Sequence, residues 1–405
     1  MEKNLPDGWE WKRLGDVATV GAGNSAPQGE QYFTDGIYPF VRTKDAGREK
    51  ATICLVNTTD KVNNFAVKEC RLKLLPAKTL IVPKSGASTF LNHRALLGKP
   101  SYVSSHLATV IAGNDLLPEY LYFWSLTIDV KQLTHDVNYP SLRLSELESA
   151  KIPLPPLETQ RKIVTILEKA EEMKKLRAQA DELTNQLLQS VFLEMFGNPV
   201  KNPKEWETMK LGKIGAVNSG LTLNGQRRGN KCNLFPYLRV ANVFRNKLNL
   251  EEIKYIHISD SEFERFMLKK NDVLIVEGHG NIEEIGRAAI WKGEIPNCAH
   301  QNHLIRVRLD DKYTHPHFLS FFLNSYGNHG YFSSKSRTTS GLNTISANKV
   351  RDAKIPLPPL ALQQKFAQIV DKVEEIRKEM KKSKQETDNL FNALTYKAFA
   401  GELIT

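Results

Sequence analysis

Cysteine is scarce, with four residues in 405 (Cys54, Cys70, Cys232 and Cys298) and no CxxC pair. That scatter argues against a disulfide framework and for reduced thiols in a cytosol. Long apolar runs are also missing. The longest, around Tyr120 to Ile128, is far too short to span a bilayer. The opening MEKNLPDGWEWKRLG has no apolar core of the kind a signal peptide carries, so a cytoplasmic protein away from membranes is expected. No GxxxxGK[ST] motif occurs, which excludes ATP-driven translocation from this chain. The Asn/Asp/Ser-Pro-Pro-aromatic loop of amino-methyltransferases is absent too. The only Pro-Pro pairs, Pro155-Pro156 and Pro358-Pro359, are each flanked by leucines.

Three fragments imitate active sites. Gly21-Ala22-Gly23 resembles a nucleotide-binding turn, but Pro27 and Gly29 forbid the helix that must follow. Pro6-Asp7 with Glu10-Trp11-Lys12 has the letters of a nuclease at too tight a spacing, and the second copy carries Met209 where the lysine would stand. Cys298, His300 and His303 offer metal-ligand types, yet on a strand His303 points away from the other two, so a structural or base-contacting role is expected of them. No catalytic residue and no metal set is therefore expected.

What is present is a repeat. Residues 151–175, KIPLPPLETQRKIVTILEKAEEMKK, return as KIPLPPLALQQKFAQIVDKVEEIRK at 354–378, with 14 identities in 25 positions. The offset of 203 residues is too long for a solenoid unit, so a whole module is duplicated: one globular part and one helix. Prolines give the leader an extended path, and Pro156 stands where a helix can begin. Beyond it, Ile163, Ile166, Ala170, Met173, Leu176, Ala180, Leu183, Leu187 and Val191 recur at helical spacing. A second stripe runs Phe366, Ile369, Val373, Ile376, Met380, Leu390, Leu394, with Ser383 and Thr387 in the seam. Gly197 and Gly401 are the expected stops. Each helix is read as about 36 residues and roughly 54 Å. Antiparallel pairing of the two would bury both stripes.

The fold expected is α+β: two similar mixed α/β domains, 1–150 and 198–353, joined and spaced by two long antiparallel coiled-coil-like helices, 151–197 and 354–405. YPFVRT, KTLIVPKS and Leu107 to Ile111 predict strands in the first domain; FPYLRVANV, DVLIVEGHG and HLIRVRL predict them in the second. PEYLYFWSL (118–126) and PHFLSFFLN (316–324) read as matching short buried helices, and SSKSRTTSGLNTIS as a polar, basic loop. The formal charge of +11 is uneven: residues 198–353 hold 23 Lys/Arg against 15 Asp/Glu, residues 1–150 only 17 against 16. A surplus in one folded part is what a phosphate-binding face produces.

The doubled KIPLPPLxxQ leader, the PxGWE/LG openings, FLEMFGNP, GLNTIS and the ending LTYKAFAGEL together resemble the specificity (S) subunit of type I restriction–modification enzymes. The resemblance spans essentially the whole chain. It implies two target recognition domains reading the halves of a bipartite, asymmetric double-stranded DNA site. It implies as partners two modification subunits, which methylate adenine, and restriction subunits held through them. S-adenosylmethionine, ATP and Mg²⁺ would belong to those partners, with no cofactor in this chain. By residue type, the first domain's candidates for DNA contact are Arg42, Lys44, Lys84, Ser85, Asn92, His93, Arg94, Asn138, Tyr139 and Arg143. The second domain's are Arg227, Arg228, Asn242, Arg245, His279, Asn281, Gln301, Asn302, Lys335, Arg337, Thr338 and Thr339. Helix of this length corresponds to at most about 15 bp between half-site centres at about 3.4 Å per pair. The rival readings are the specificity partner of a combined cutting-and-modifying enzyme, a scaffold that never touches DNA, and a self-contained nuclease or methyltransferase.

Overall fold

The structure is a computed structural model, and it describes residues 5–47, 53–86, 89, 91, 93–129, 141–198, 201–222, 232–326, 331–339 and 342–404. Chain contacts divide it into two compact units: Met1–Ala180 with Met380–Thr405, and Asp181–Glu379. The division falls within each long helix rather than at its ends, so each unit is one globular domain with half of each helix packed on it.

Both domains start from the same scheme. In the first unit the opening strand Glu10–Arg13 pairs antiparallel with the leader strand Lys151–Leu154, and in the second Thr208–Lys210 pairs with Lys354–Pro356. The leader is thus stitched to the beginning of its own domain before the helix departs. In the first domain a five-stranded sheet runs in the order Ala18–Ala22, Leu107–Ala112, Leu80–Pro83, Ala95–Leu97, Cys54–Leu55. Beside it lies a three-stranded sheet of Asp60–Val62, Tyr38–Val41 and Tyr102–Val103, the last pair parallel. The second domain repeats both: Gly215–Ser219, Leu304–Leu309, Val273–Val276, Ala288–Ile290, and Lys254–Ser259, Cys232–Leu238, Ala299–His300. Registers agree as well. Pro83 faces Leu107 in one domain and Val276 faces Leu304 in the other.

The aromatic helices Pro118–Leu126 and Pro316–Tyr326 seat their domains on the long helices. Phe123 and Tyr120 meet Phe391 and Phe399 of the distal helix at 6.4 and 5.1 Å between ring centroids. In the second unit Phe192 of the central helix meets Phe318 and Phe366 at 5.8 and 5.4 Å. Each unit therefore packs the beginning of one long helix on the end of the other, which is antiparallel pairing. Both helices are 40 residues, Leu157–Phe196 and Leu360–Phe399, about 60 Å apiece and slightly longer than the repeat alone predicts. Gly197 and Gly401 close them in the left-handed conformation (φ 78° and 74°) that glycine adopts without steric cost.

Two expectations are corrected. The seam read along the central helix holds only in part. Ile163, Leu167, Ala170, Leu188, Phe192 and Phe196 are buried, whereas Met173, Leu176, Leu183 and Leu187 are 49–65% exposed. The polar run before the second leader is not a plain loop. Arg337–Thr339 and Leu342–Thr344 form a hairpin that pairs with Gly278–His279. Gly21 lies inside the strand Ala18–Ala22, so no nucleotide-binding turn forms there.

Candidate nucleic-acid interface

Strand direction collects the polar side chains. In the first domain the strands Tyr38–Val41, Leu80–Pro83 and Tyr102–Val103 all deliver their carboxyl ends to one edge. Arg42, Lys84 and the segment Ser104–Ser105–His106 follow them directly. Three backbone hydrogen bonds tie these exits together. Ser104 N–H donates to Val41 O at 2.9 Å, Lys84 N–H to His106 O at 2.9 Å, and Leu142 N–H to Lys84 O at 2.8 Å. The second domain repeats all three. Gln301 N–H donates to Leu238 O, Glu277 N–H to His303 O, and Ile345 N–H to Glu277 O, each at 2.9 Å.

The turn leaving the first of these strands is held by a buried Asx side chain. Asp45 accepts from Arg42 N–H at 2.8 Å and from the Thr59 hydroxyl at 2.7 Å. Asn242 accepts from Arg239 N–H at 2.9 Å and donates to Asn249 O and Glu252 O at 2.9 and 3.0 Å. An Arg stands at the same place in both turns. Arg42 pairs with Asp60, which Lys44 also approaches at 3.4 Å, and Arg239 pairs with Glu252 at 3.2 Å. Arg42 lies 5.5 Å from the ring centres of Phe33 and Phe40, which orients its guanidinium further.

Not every candidate residue belongs to this edge. Asn242 is 3% exposed and committed to the turn, so it is not available to a base. Arg94 is 7% exposed and donates to His93 O and Ile128 O. Burial pulls its guanidinium down to about 10, and it is structural. Half-buried His93 packs over Gly47, where an added Cβ would meet the imidazole at 2.2 Å. Arg245 is half-buried and pairs with Glu284 at 3.4 Å. Ser85 bonds His106 Nδ1 at 2.6 Å, Arg143 is exposed just beyond Leu142, and Lys44 and Lys335 are exposed. Gln301 and Asn302 lie on the edge itself. Exposed Asn281 holds its own turn, its N–H donating to His279 Nδ1 at 3.0 Å. Arg337, Thr338 and Thr339 form the outer hairpin strand. Asn92, Asn138, Tyr139, Arg227 and Arg228 lie outside the described residues.

Three residues of the edge escaped sequence reasoning. Arg239 and His106 were legible in principle as the counterparts, in the two copies, of Arg42 and His303. Glu277 carried no such signal, because a carboxylate is a poor expectation on a surface that meets phosphates. It is half-buried, 3.7 Å from His303 Nδ1, and burial pushes its carboxyl up to about 7.

Metal chemistry gains nothing from this geometry. Cys298 and His300 are buried, which pushes the thiol up to about 12 and pulls the imidazole down to about 3. His300 Nδ1 bonds Phe266 O at 3.1 Å. Among the described residues no group of three His, Cys, Asp or Glu converges as metal ligands do. Among the same residues no helix is long and apolar enough to cross a membrane.

The comparisons with known proteins agree with one another. The family described as Type I restriction modification DNA specificity domain matches residues 6–186 and again 203–387. The type I restriction enzyme EcoKI specificity subunit of Escherichia coli K12 is 25% identical over 437 residues, covering 98% of this chain and 90% of that protein. The MjaIX specificity subunit of Methanocaldococcus jannaschii is 22% identical over 389 residues, covering 90% and 87%. A chain from a solved structure on assembly and conformational transition of the type I R-M system shares the fold at TM-score 0.63. It is 21% identical and covers 99% of this chain and 100% of its own. The type I S subunit from M. genitalium shares it at TM-score 0.54 and 16% identity, covering 98% and 96%.

Proposed function

The chain belongs to the family of type I restriction–modification DNA specificity domains, and from that premise we propose that it reads a bipartite, asymmetric duplex site, one half per globular domain. The observation carrying this reading is the doubled edge. The same three backbone hydrogen bonds hold Lys84, Ser104 and His106 in one domain and Glu277, Gln301 and His303 in the other. One frame with two sets of side chains is what two different half-sites require, because backbone contacts position while base contacts specify.

The chain lends this choice to partners and carries out no chemistry itself. Adenine methylation with S-adenosylmethionine belongs to two modification subunits, and ATP- and Mg²⁺-dependent cleavage to restriction subunits bound through them. A doubled leader-and-helix module offers two like docking surfaces. The exposed Met173, Leu176, Leu183 and Leu187, separated by three, seven and four residues, give the central helix an apolar stripe suited to a partner helix.

The test is a titration of the full chain, with its modification subunits, against a genomic duplex pool at several salt concentrations. Recovery of one sequence class, with an affinity that falls steeply with salt, is expected. Equal recovery of all sequences at every salt would overturn the reading. The lone chain incubated with DNA, Mg²⁺ and a labelled methyl donor should neither cut nor label it.

A further inference from the structure

At one backbone position the two edges carry opposite charge. Lys84 and Glu277 occupy the same register, each donating its N–H to the carbonyl of a histidine (His106, His303) and accepting at its carbonyl from the segment entering the leader (Leu142, Ile345). Both backbones are clamped on two sides, so the side chains leave the sheet from equivalent points. Their charges are opposite. The Glu277 side chain is only 22% exposed, and His303 Nδ1 stands 3.7 Å from it, beyond hydrogen-bond distance. Among the described residues no Lys or Arg pairs with it. A carboxylate so placed keeps acceptor capacity that the described residues do not fill. Holding it half-buried costs free energy unless a donor arrives. The raised carboxyl, at about 7, agrees with an anion short of donors.

Resting on the interface proposed above, we infer that this position makes each reader choose between a donor and an acceptor on a base edge. The Glu277 carboxylate accepts an exocyclic amino hydrogen, that of cytosine N4 or adenine N6, in the second domain's half-site, and Lys84 donates to guanine O6 or N7 in the first domain's. Only the major groove presents these groups distinguishably, so both side chains enter it. Phosphates cannot be the target of Glu277, since like charge repels. That leaves base amines as the duplex groups that satisfy it. His303 flanks the carboxylate, while Gln301 stands on the same edge and Asn281 in the turn that follows Gly278–His279, for the neighbouring bases.

The experiment is selection from a randomised duplex pool by the full chain assembled with its modification subunits, followed by sequencing of the bound fraction. Wild type is compared with Glu277→Lys, Lys84→Glu, Asn281→Ala and Gln301→Ala. In Glu277→Lys one position of one half-site should change from cytosine or adenine to guanine, with the other half-site unaltered. Lys84→Glu should do the reverse in the other half. The base selected by wild type tells cytosine from adenine. Retention of the wild-type base by both charge-reversed proteins overturns the inference. If Asn281→Ala or Gln301→Ala then still alters the second half-site, the interface stands and only the role of position 277 falls. If none of the four changes any position, the interface reading falls too. Should Glu277→Lys fail to fold by circular dichroism, Glu277→Ala replaces it. A loss of preference at that one position of about tenfold or more is expected, and an undiminished preference is contrary.

Discussion

At the residue scale, a buried amide keys each long helix to its domain. Gln160 accepts from Leu117 N–H at 2.9 Å and donates to Asp115 O and Pro155 O at 2.8 and 2.9 Å. Gln363 accepts from His315 N–H at 2.8 Å and from the Thr314 hydroxyl at 3.0 Å, and donates to Pro358 O at 2.8 Å. Both are fully buried, so the last letter of KIPLPPLxxQ is the bolt between leader and domain. Its identity was visible in the repeat, but its partners were not, since most lie 43 to 49 residues away in the chain. Gln363→Leu leaves a buried N–H and carbonyls unpaired and should cost about 1–3 kcal/mol in chemical denaturation, with helix content retained. Glu277 makes a second prediction. Its folded-state carboxyl stands near 7, above the ordinary 4.5, so its stabilising share is complete below about pH 4.5 and is lost as pH rises through 7. Relative to wild type, Glu277→Gln should therefore gain stability on going from pH 5 to pH 8, by something of the order of 2 kcal/mol in paired urea melts. An unchanged difference between the two pH values would show that burial does not hold the proton.

At the element scale, periodicity identified the long helices and aromatic density identified 118–126, because burial on most sides leaves few polar positions. The pairing face of the central helix was harder to read. Apolar spacing continues smoothly through Met173, Leu176, Leu183 and Leu187, but these side chains are exposed and the buried set resumes at Leu188, Phe192 and Phe196. A single chain cannot say which of two apolar stripes faces its own partner helix. The hairpin 337–344 was missed for a related reason: Thr and Ser serve loop and strand equally well, and pairing with Gly278–His279 decides. The antiparallel helices are matched by Lys174 to Asp388 at 3.9 Å and by Arg377 to Thr184 O at 3.3 Å. Removing residues 177–183 and 378–384 together keeps both of those pairs in register and shortens each helix by about 10 Å. If the helices set the gap between half-sites, the selected gap should shrink by about 3 bp or binding should cease. An unchanged gap would exclude them as the spacer.

For the whole molecule, charge was a coarser guide than it looked. Of the second domain's basic side chains, Arg287 and Arg306 are 7% and 5% exposed, and Arg308 makes a bidentate pair with Asp272 at 2.8 and 2.7 Å. These three side chains are internal bracing, so not every positive charge counted in residues 198–353 is open to phosphate. The duplication proved the stronger signal, because it survives in backbone hydrogen bonds even where side chains have diverged. If each domain reads its own half of one site, exchanging one domain must change one half alone. Methylation mapping of a host genome, with the chain intact and with residues 198–353 exchanged for those of a relative, tests it most directly. The expected result is a bipartite motif in which one half changes and the other half and its methylation persist. A motif that survives the exchange whole, or changes in both halves, would contradict it.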